Sequence, residues 1–191
     1  MIENYYKIIT KIDLIIKSIY LVIPKEKKVI MGNYLNIRTG KLNANEENIN
    51  GIYPFFTCSE NESFINTFAF DTSAMLISGN GSNLGYINYY EGKFNAYQRT
   101  YVVDGHEYIY LFYSALQSEM RNIVEQSKGS AIPYLTLPML SNFEIEISSN
   151  EIINKKYIDY ISNLLKFKLS IKNYKRELEN LKKQYLNKFF G

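Results

Sequence analysis

From residue 154 to residue 189 the chain contains neither glycine nor proline. Within this run Tyr157, Ile161, Leu164, Ile171, Tyr174, Leu178, Leu181 and Tyr185 lie three, four or seven apart, which puts them along one side of a helix. At a rise of about 1.5 Å per residue, these ~36 residues extend roughly 54 Å. The 3-4 alternation is clean from Ile171 onward. Lys168 interrupts the earlier seam and the step from 171 to 174 is one residue short, so the heptad pattern is imperfect. A helix this long, with an apolar stripe and little core left to cover it, needs a partner helix. The plainer alternative is that it folds back on its own domain.

The rest of the chain reads as short strands framed by helices. Tyr5, Ile8, Ile12, Ile15 and Ile19 repeat at helical spacing. The apolar stretch Ile8 to Ile23 is broken by Lys11, Asp13 and Lys17 and has no cleavage site after it. It is too short and too mixed to span a bilayer, so an amphipathic helix in a cytoplasmic protein is expected. Val29 to Ile37 is strand-like. Pro54 marks Ile52 to Cys58 as an edge or irregular strand. Phe64 to Phe70 and Ala74 to Ser78 are further short runs, and Ile87 to Tyr90 and Phe94 to Tyr101 flank Glu91-Gly92-Lys93, a hairpin signal. Glu107 to Gln126 turns helical, with Phe112, Leu116, Met120 and Ile123 on one face and Gly129 as a stop. Phe143 to Ile147 alternates as a last strand. The expected fold is α+β in three parts: an N-terminal amphipathic helix (1–24), a β-rich domain with a few helices (25–150) and a long C-terminal coiled-coil helix (151–191).

Composition narrows the function classes. The single cysteine, Cys58, excludes an internal disulfide framework and a multi-cysteine zinc site, and a reducing compartment fits. Net charge is +3, but residues 1–50 carry 8 basic and 5 acidic groups, residues 51–150 carry 4 and 10, and residues 151–191 carry 10 and 4. A nucleic-acid binder usually shows a basic patch. An acidic middle argues against a simple clamp on DNA. It fits a subunit that reads bases while partner proteins hold most of the phosphates.

Three glycine- and polar-rich segments separate the apolar runs. Gly79-Asn80-Gly81-Ser82-Asn83-Leu84-Gly85 superficially suggests a dinucleotide loop, but strand chemistry (Tyr86-Ile87-Asn88-Tyr89-Tyr90) follows it where that loop requires a helix. It is therefore either a plain connecting turn or a close-approach loop in which Asn80, Ser82 and Asn83 present donors and acceptors. Along Tyr97 to Tyr101, strand geometry puts Gln98 and Thr100 on one side and Arg99 on the other. Gln pairs with adenine and Arg with guanine in the major groove; an ordinary half-exposed strand is the bland alternative. Arg38, Lys41, Asn43 and Asn45 crowd one polar loop, and Lys128, Ser130, Tyr134 and Thr136 another. Each is equally readable as a solvated loop. The carboxylates Glu60, Glu62 and Asp71 have no His or Cys cluster beside them. Neither a nuclease pattern nor the Asn-Pro-Pro-aromatic signature of a methyltransferase is present. No catalytic constellation emerges.

In combination these segments resemble the target recognition domain of the specificity subunit of type I restriction-modification systems. The resemblance rests on IRTGKLNAN (Ile37–Asn45), YPFFTCSE (Tyr53–Glu60) and GKFNAYQRTYVV (Gly92–Val103), in that order. GSAIPYLTLPML (Gly129–Leu140) is similar to the family's turn before the last strand, with Tyr134 where a His is common. The ending Leu186-Asn187-Lys188-Phe189-Phe190-Gly191 is similar to the end of the family's conserved helix. Two departures stand out. Asn154-Lys155-Lys156-Tyr157-Ile158 replaces a Gln-rich entry to that helix, and no motif occurs twice, so the chain looks like a half-subunit.

The resemblance implies a non-catalytic DNA-binding protein. One half of a bipartite double-stranded site is read by Arg38, Lys41, Asn43, Asn45, Asn80, Ser82, Asn83, Gln98, Arg99, Lys128, Ser130 and Tyr134. The eight apolar residues of the last helix are the expected dimerisation seam, through self-association. Methyltransferase subunits, which carry S-adenosylmethionine, dock on the scaffold, and a restriction motor subunit is a further partner; the chain itself holds no cofactor or metal and contacts no membrane. A competing reading is an assembly or interference protein that pairs with full-length specificity subunits and reads nothing.

Overall fold

Ala74-Met75-Leu76-Ile77 shows how the β-rich part is built, because all four residues are buried. Successive side chains of a strand face opposite ways, so each face of the sheet meets its own core. Met75 and Ile77 join a large core shared with the helices. Ala74 and Leu76 join a smaller one with Phe94, Ala96 and Val102.

The computed structural model describes residues 2–59, 63–126 and 133–190. The elements are α1 (Ile2–Val22), β1 (Lys27–Ile30), β2 (Leu35–Thr39), β3 (Tyr53–Phe56), β4 (Ser63–Ile65), β5 (Phe70–Ser78), β6 (Ile87–Ala96), β7 (Thr100–Gly105), α2 (Ile109–Gln126), α3 (Leu137–Ser141), β8 (Glu144–Ile147) and α4 (Glu151–Phe190). The fold is α+β, as expected. One sheet runs in the order β2-β7-β5-β6-β3-β4, and β1 and β8 form a separate ribbon. Within the large sheet all pairs are antiparallel except β3 with β6. The sheet curls toward closure: just beyond β2, Leu42 forms a parallel bridge with Tyr97, just beyond β6.

Three strand expectations are corrected. Glu91-Gly92-Lys93 is not a hairpin turn; it lies inside β6, with Gly92 opposite Thr72 of β5. Gly92 takes a φ of 121°, so the sequence signal was a glycine needed within a strand, a recognised alternative to a turn. The true β5–β6 connection is the glycine loop. Pro54 lies in β3, which is internal, and pairing with β6 starts only at Phe55, one residue beyond the missing N–H. Finally, Gln98 and Arg99 occupy a turn and β7 begins at Thr100, so the side-by-side alternation expected along Tyr97–Tyr101 does not hold.

The helices cover the other face of the sheet. Phe112, Leu116, Met120 and Ile123 of α2 are all buried. On α1 the buried residues are Ile12 and Ile16, with Ile23 buried just beyond its end, whereas Ile8 and Ile15 face outward. Ile12 is therefore inward as expected and Ile19 packs partly on the core, while Ile16 takes the inward place expected of Ile15. The Ser114 hydroxyl of α2 donates to the Ile16 carbonyl and accepts the Tyr20 N–H at 3.1 Å, locking α1 to α2. Ahead of α4, the Glu26 carboxylate accepts the Ser149 N–H at 2.8 Å and the hydroxyls of Ser149 and Ser148 at 2.6 and 3.1 Å. These donors hold its carboxyl below the usual carboxylate range.

Among the described residues, no helix is long and apolar enough to cross a membrane.

Candidate nucleic-acid interface

The turn Tyr97-Gln98-Arg99 is the point on which the candidate loops converge. From the first loop, Gly40 N–H donates to the Thr100 carbonyl at 3.3 Å, and the Leu42 carbonyl accepts Gln98 N–H at 2.9 Å. The Gln98 side-chain amide donates to Asn43 Oδ1 at 3.0 Å. Asn43 also closes a capping box with Glu46 across a single 3₁₀ turn, so the segment carrying Asn45 is held. Glycine is required at position 40: a Cβ there would stand 1.8 Å from the Ala96 carbonyl oxygen.

The glycine loop reaches the same turn from the other side. Gly79 N–H donates to the Arg99 carbonyl at 2.8 Å, and the Cys58 thiol donates to that carbonyl at 3.4 Å. The Gly79 carbonyl accepts Leu135 N–H at 2.9 Å, and the Tyr101 hydroxyl donates to the Leu135 carbonyl at 3.0 Å. Burial pushes the Tyr101 hydroxyl up in pKa, only partly offset by the Arg99 guanidinium, so it stays a neutral donor. Tyr134, beside Leu135, is thereby fixed near the glycine loop and is exposed.

The predicted residues divide by what their side chains do. Lys41, Asn45, Ser82, Arg99 and Tyr134 are exposed. Gln98 and Asn43 are exposed and bonded to each other. Asn80 is half-buried. Asn83 is spent on structure, donating its amide to the Cys58 carbonyl at 3.1 Å. Arg38 is paired with the buried Asp104, which also accepts the Asn36 amide at 3.3 Å, and its guanidinium lies 5.3 Å from the Phe70 ring centre. Lys128 and Ser130 lie outside the described residues, as do Glu60 and Glu62. Asp104, Cys58 and Gly40 were missed by the sequence reading. Only Gly40 carried a signal, as a glycine inside a polar loop.

Such a site can do recognition chemistry. Amide, hydroxyl and guanidinium groups stand on loops whose backbones are pinned to one another, and that rigidity is what reading base edges requires. Among the described residues, no group of three or more His, Cys, Asp or Glu side chains could hold a metal ion.

A second surface runs along α4, which carries two stripes rather than one. Ile158, Ile161, Leu165 and Lys168 face the domain and are buried, and Lys168 pairs with Asp13 of α1. About one residue's rotation away, ~100° around the helix, lies a regular heptad. Tyr157, Leu164, Ile171, Leu178 and Tyr185 recur every seven residues, and so do Tyr160, Phe167, Tyr174 and Leu181. Ile161 is 0% exposed and therefore belongs to the domain's own core, not to a free seam. Tyr157, Leu164 and Ile171 pack partly against that core. Tyr160, Phe167 and Tyr174 are 50%, 55% and 64% exposed, and Leu178, Leu181 and Tyr185 are exposed too. Tyr160 and Phe167 were overlooked, although their seven-residue spacing to Tyr174 was the signal. Lys168 does not break the seam; it lies on the other stripe. One face of the helix thus folds back on its own domain, and the outer heptad stands largely exposed.

Residues 28–182 match the family model of the type I restriction modification DNA specificity domain. The chain belongs to this family. It is 43% identical over 127 residues to the EcoDI specificity subunit of a type I restriction enzyme from Escherichia coli, a match covering 64% of this chain and 28% of that protein. Its fold is similar to the type I restriction-modification S subunit from M. genitalium, with a TM-score of 0.70 at 19% identity, over 100% of this chain and 55% of that one. It is also similar to the HsdS subunit from Thermoanaerobacter tengcongensis, with a TM-score of 0.52 at 14% identity, over 97% and 52%. The chain thus spans about half of those structures and a smaller part of the curated relative. A specificity subunit is a non-catalytic member of such a system, and this chain is a specificity-subunit domain.

Proposed function

We propose that this domain reads one half of a split DNA site from the major groove. The observation that carries the reading is the convergence of the first loop and the glycine loop on the Tyr97–Arg99 turn, with the segment at Tyr134 tied to Gly79 and Tyr101, in a chain of this family. Arg99 and Gln98 are the base readers, with Lys41, Asn45 and Ser82 beside them on phosphates and base edges. The free heptad of α4 pairs with α4 of a second copy, giving two recognition domains on one scaffold and a C2-symmetric, gapped site. Methyltransferase subunits holding S-adenosylmethionine dock on that scaffold and supply most phosphate contacts, offsetting the acidic middle of this chain. A restriction motor subunit joins the same assembly. The complex works in the cytoplasm.

The test is selection of bound duplexes from a random-sequence library by the chain reconstituted with its methyltransferase subunit. Enrichment of two short sequences at fixed separation is expected. Tight binding with no enriched sequence would overturn the reading.

A further inference from the structure

A cleft of about 460 Å³ separates α4 from the sheet, walled by α1, by β3, β4 and β6, and by residues 169–179 of α4. At about 30 Å³ per water it has room for roughly fifteen. Close packing therefore ends where this cleft begins: Lys168 is the last buried residue of α4, and Ile171 the last large apolar one packed on the core.

Three side chains bridge the gap. Lys172 Nζ donates to Asn88 Oδ1 of β6 at 3.1 Å. Lys175 Nζ lies 4.6 and 4.9 Å from the ring centres of Tyr5 and Tyr6 of α1, and donates to the Tyr6 hydroxyl at 3.3 Å. The Arg176 guanidinium lies 5.7 Å from the Phe64 ring centre on β4, the edge strand. Cations at these distances are attracted to an aromatic ring. The three side chains reach three different elements, so together they fix the helix in two directions. Beyond Arg176, among the described residues, every side chain as far as Phe189 is exposed.

We infer that Lys172, Lys175 and Arg176 are positioning residues that hold the free half of α4 at one angle to the recognition domain, and so set the spacer between the two half-sites. The inference rests on the function proposed above. The lever is long enough to matter. From Ile171 to Phe189 the helix runs about 27 Å, so a swing of about 10° moves its end by roughly 5 Å. That exceeds the base-pair rise of about 3.4 Å. Without the struts, neighbouring spacer lengths become accessible.

Two measurements on K172Q/R176Q and on the conservative Arg176→Lys test this. The first uses the chain alone, with Cys58→Ser and spin labels at Ile49→Cys and Lys183→Cys. One narrow distance is expected for the parent and for Arg176→Lys, and a broadened distribution for K172Q/R176Q. Equal widths would overturn the inference. In the second, the complex with the methyltransferase subunit selects duplexes from a random library. K172Q/R176Q is expected to keep the half-site bases and raise the share of off-length spacers by roughly threefold for each strut removed, while Arg176→Lys keeps one spacer. An unchanged spacer distribution overturns the inference; absence of any motif with the parent protein instead overturns the proposed function, and the label distances still decide the strut.

Discussion

Substitutions at Ile161 and Phe167 separate the two stripes of α4. Both residues lie in the same glycine-free helix, and both are large and apolar. Ile161 is fully buried against the domain. Truncating such a residue to alanine costs about 2–5 kcal/mol through lost burial and the cavity left behind. For a chain of this size each kcal/mol shifts the melting temperature by roughly 2–4 °C, so Ile161→Ala melts on the order of 10 °C lower. Phe167, on the free heptad, is half exposed in the monomer, so Phe167→Ala changes monomer stability by no more than about 0.5 kcal/mol. It removes instead an aromatic side chain from the surface proposed to pair. The assay is calorimetry at low concentration, where the monomer dominates, with sedimentation over a concentration series. Ile161→Ala should lose stability and keep any association of its folded fraction; Phe167→Ala should keep stability and lose association. Equal losses of monomer stability would refute the two-stripe account, and undiminished association in Phe167→Ala would refute the seam.

Three further outcomes follow from the packing. Gly40→Ala forces a Cβ into the Ala96 carbonyl and is expected to cost about 1–3 kcal/mol, read by urea titration; Gly81→Ala, with open space around its Cβ, should cost less despite its positive φ. Lys168→Met leaves Asp13 without its partner and should destabilise by about 1–3 kcal/mol, because the pair is only partly buried; adding Asp13→Leu should recover most of that loss in a double-mutant cycle. On acidification, Glu26 and Glu151 are held below their ordinary 4.5, Glu26 by the Ser149 and Ser148 donors and Glu151 by Tyr108. The unfolded chain takes up those protons first, so stability is fully present above about pH 4.5 and falls below it; Glu26→Gln should flatten that slope in acid-titrated melts.

How much was legible depended on whether the signal was local. The seven-residue repeats of α4 and the period of α2 are properties of consecutive residues, and both elements formed where that spacing pointed. Which α4 stripe met the core was not local, because it depends on α1 delivering Asp13 to Lys168. Glu91-Gly92-Lys93 misled because a glycine serves equally in a turn and within a strand that must take a positive φ. Gln98 and Arg99 were singled out on chemistry alone, and the structure adds that the first loop and Gly79 both bond to their turn. Arg38 was singled out on the same grounds, but Asp104, 66 positions away, holds its guanidinium. No rule of spacing links those two.

The central claim is that the Tyr97–Arg99 turn reads bases, and sequencing the methylated positions produced by the reconstituted methyltransferase complex tests it most directly. The parent chain should yield a gapped adenine motif. Arg99→Ala and Gln98→Ala should each relax one position of it by about 1–3 kcal/mol of discrimination, leaving the other positions unchanged. Methylation with no motif, or a motif untouched by both substitutions together, would contradict the account.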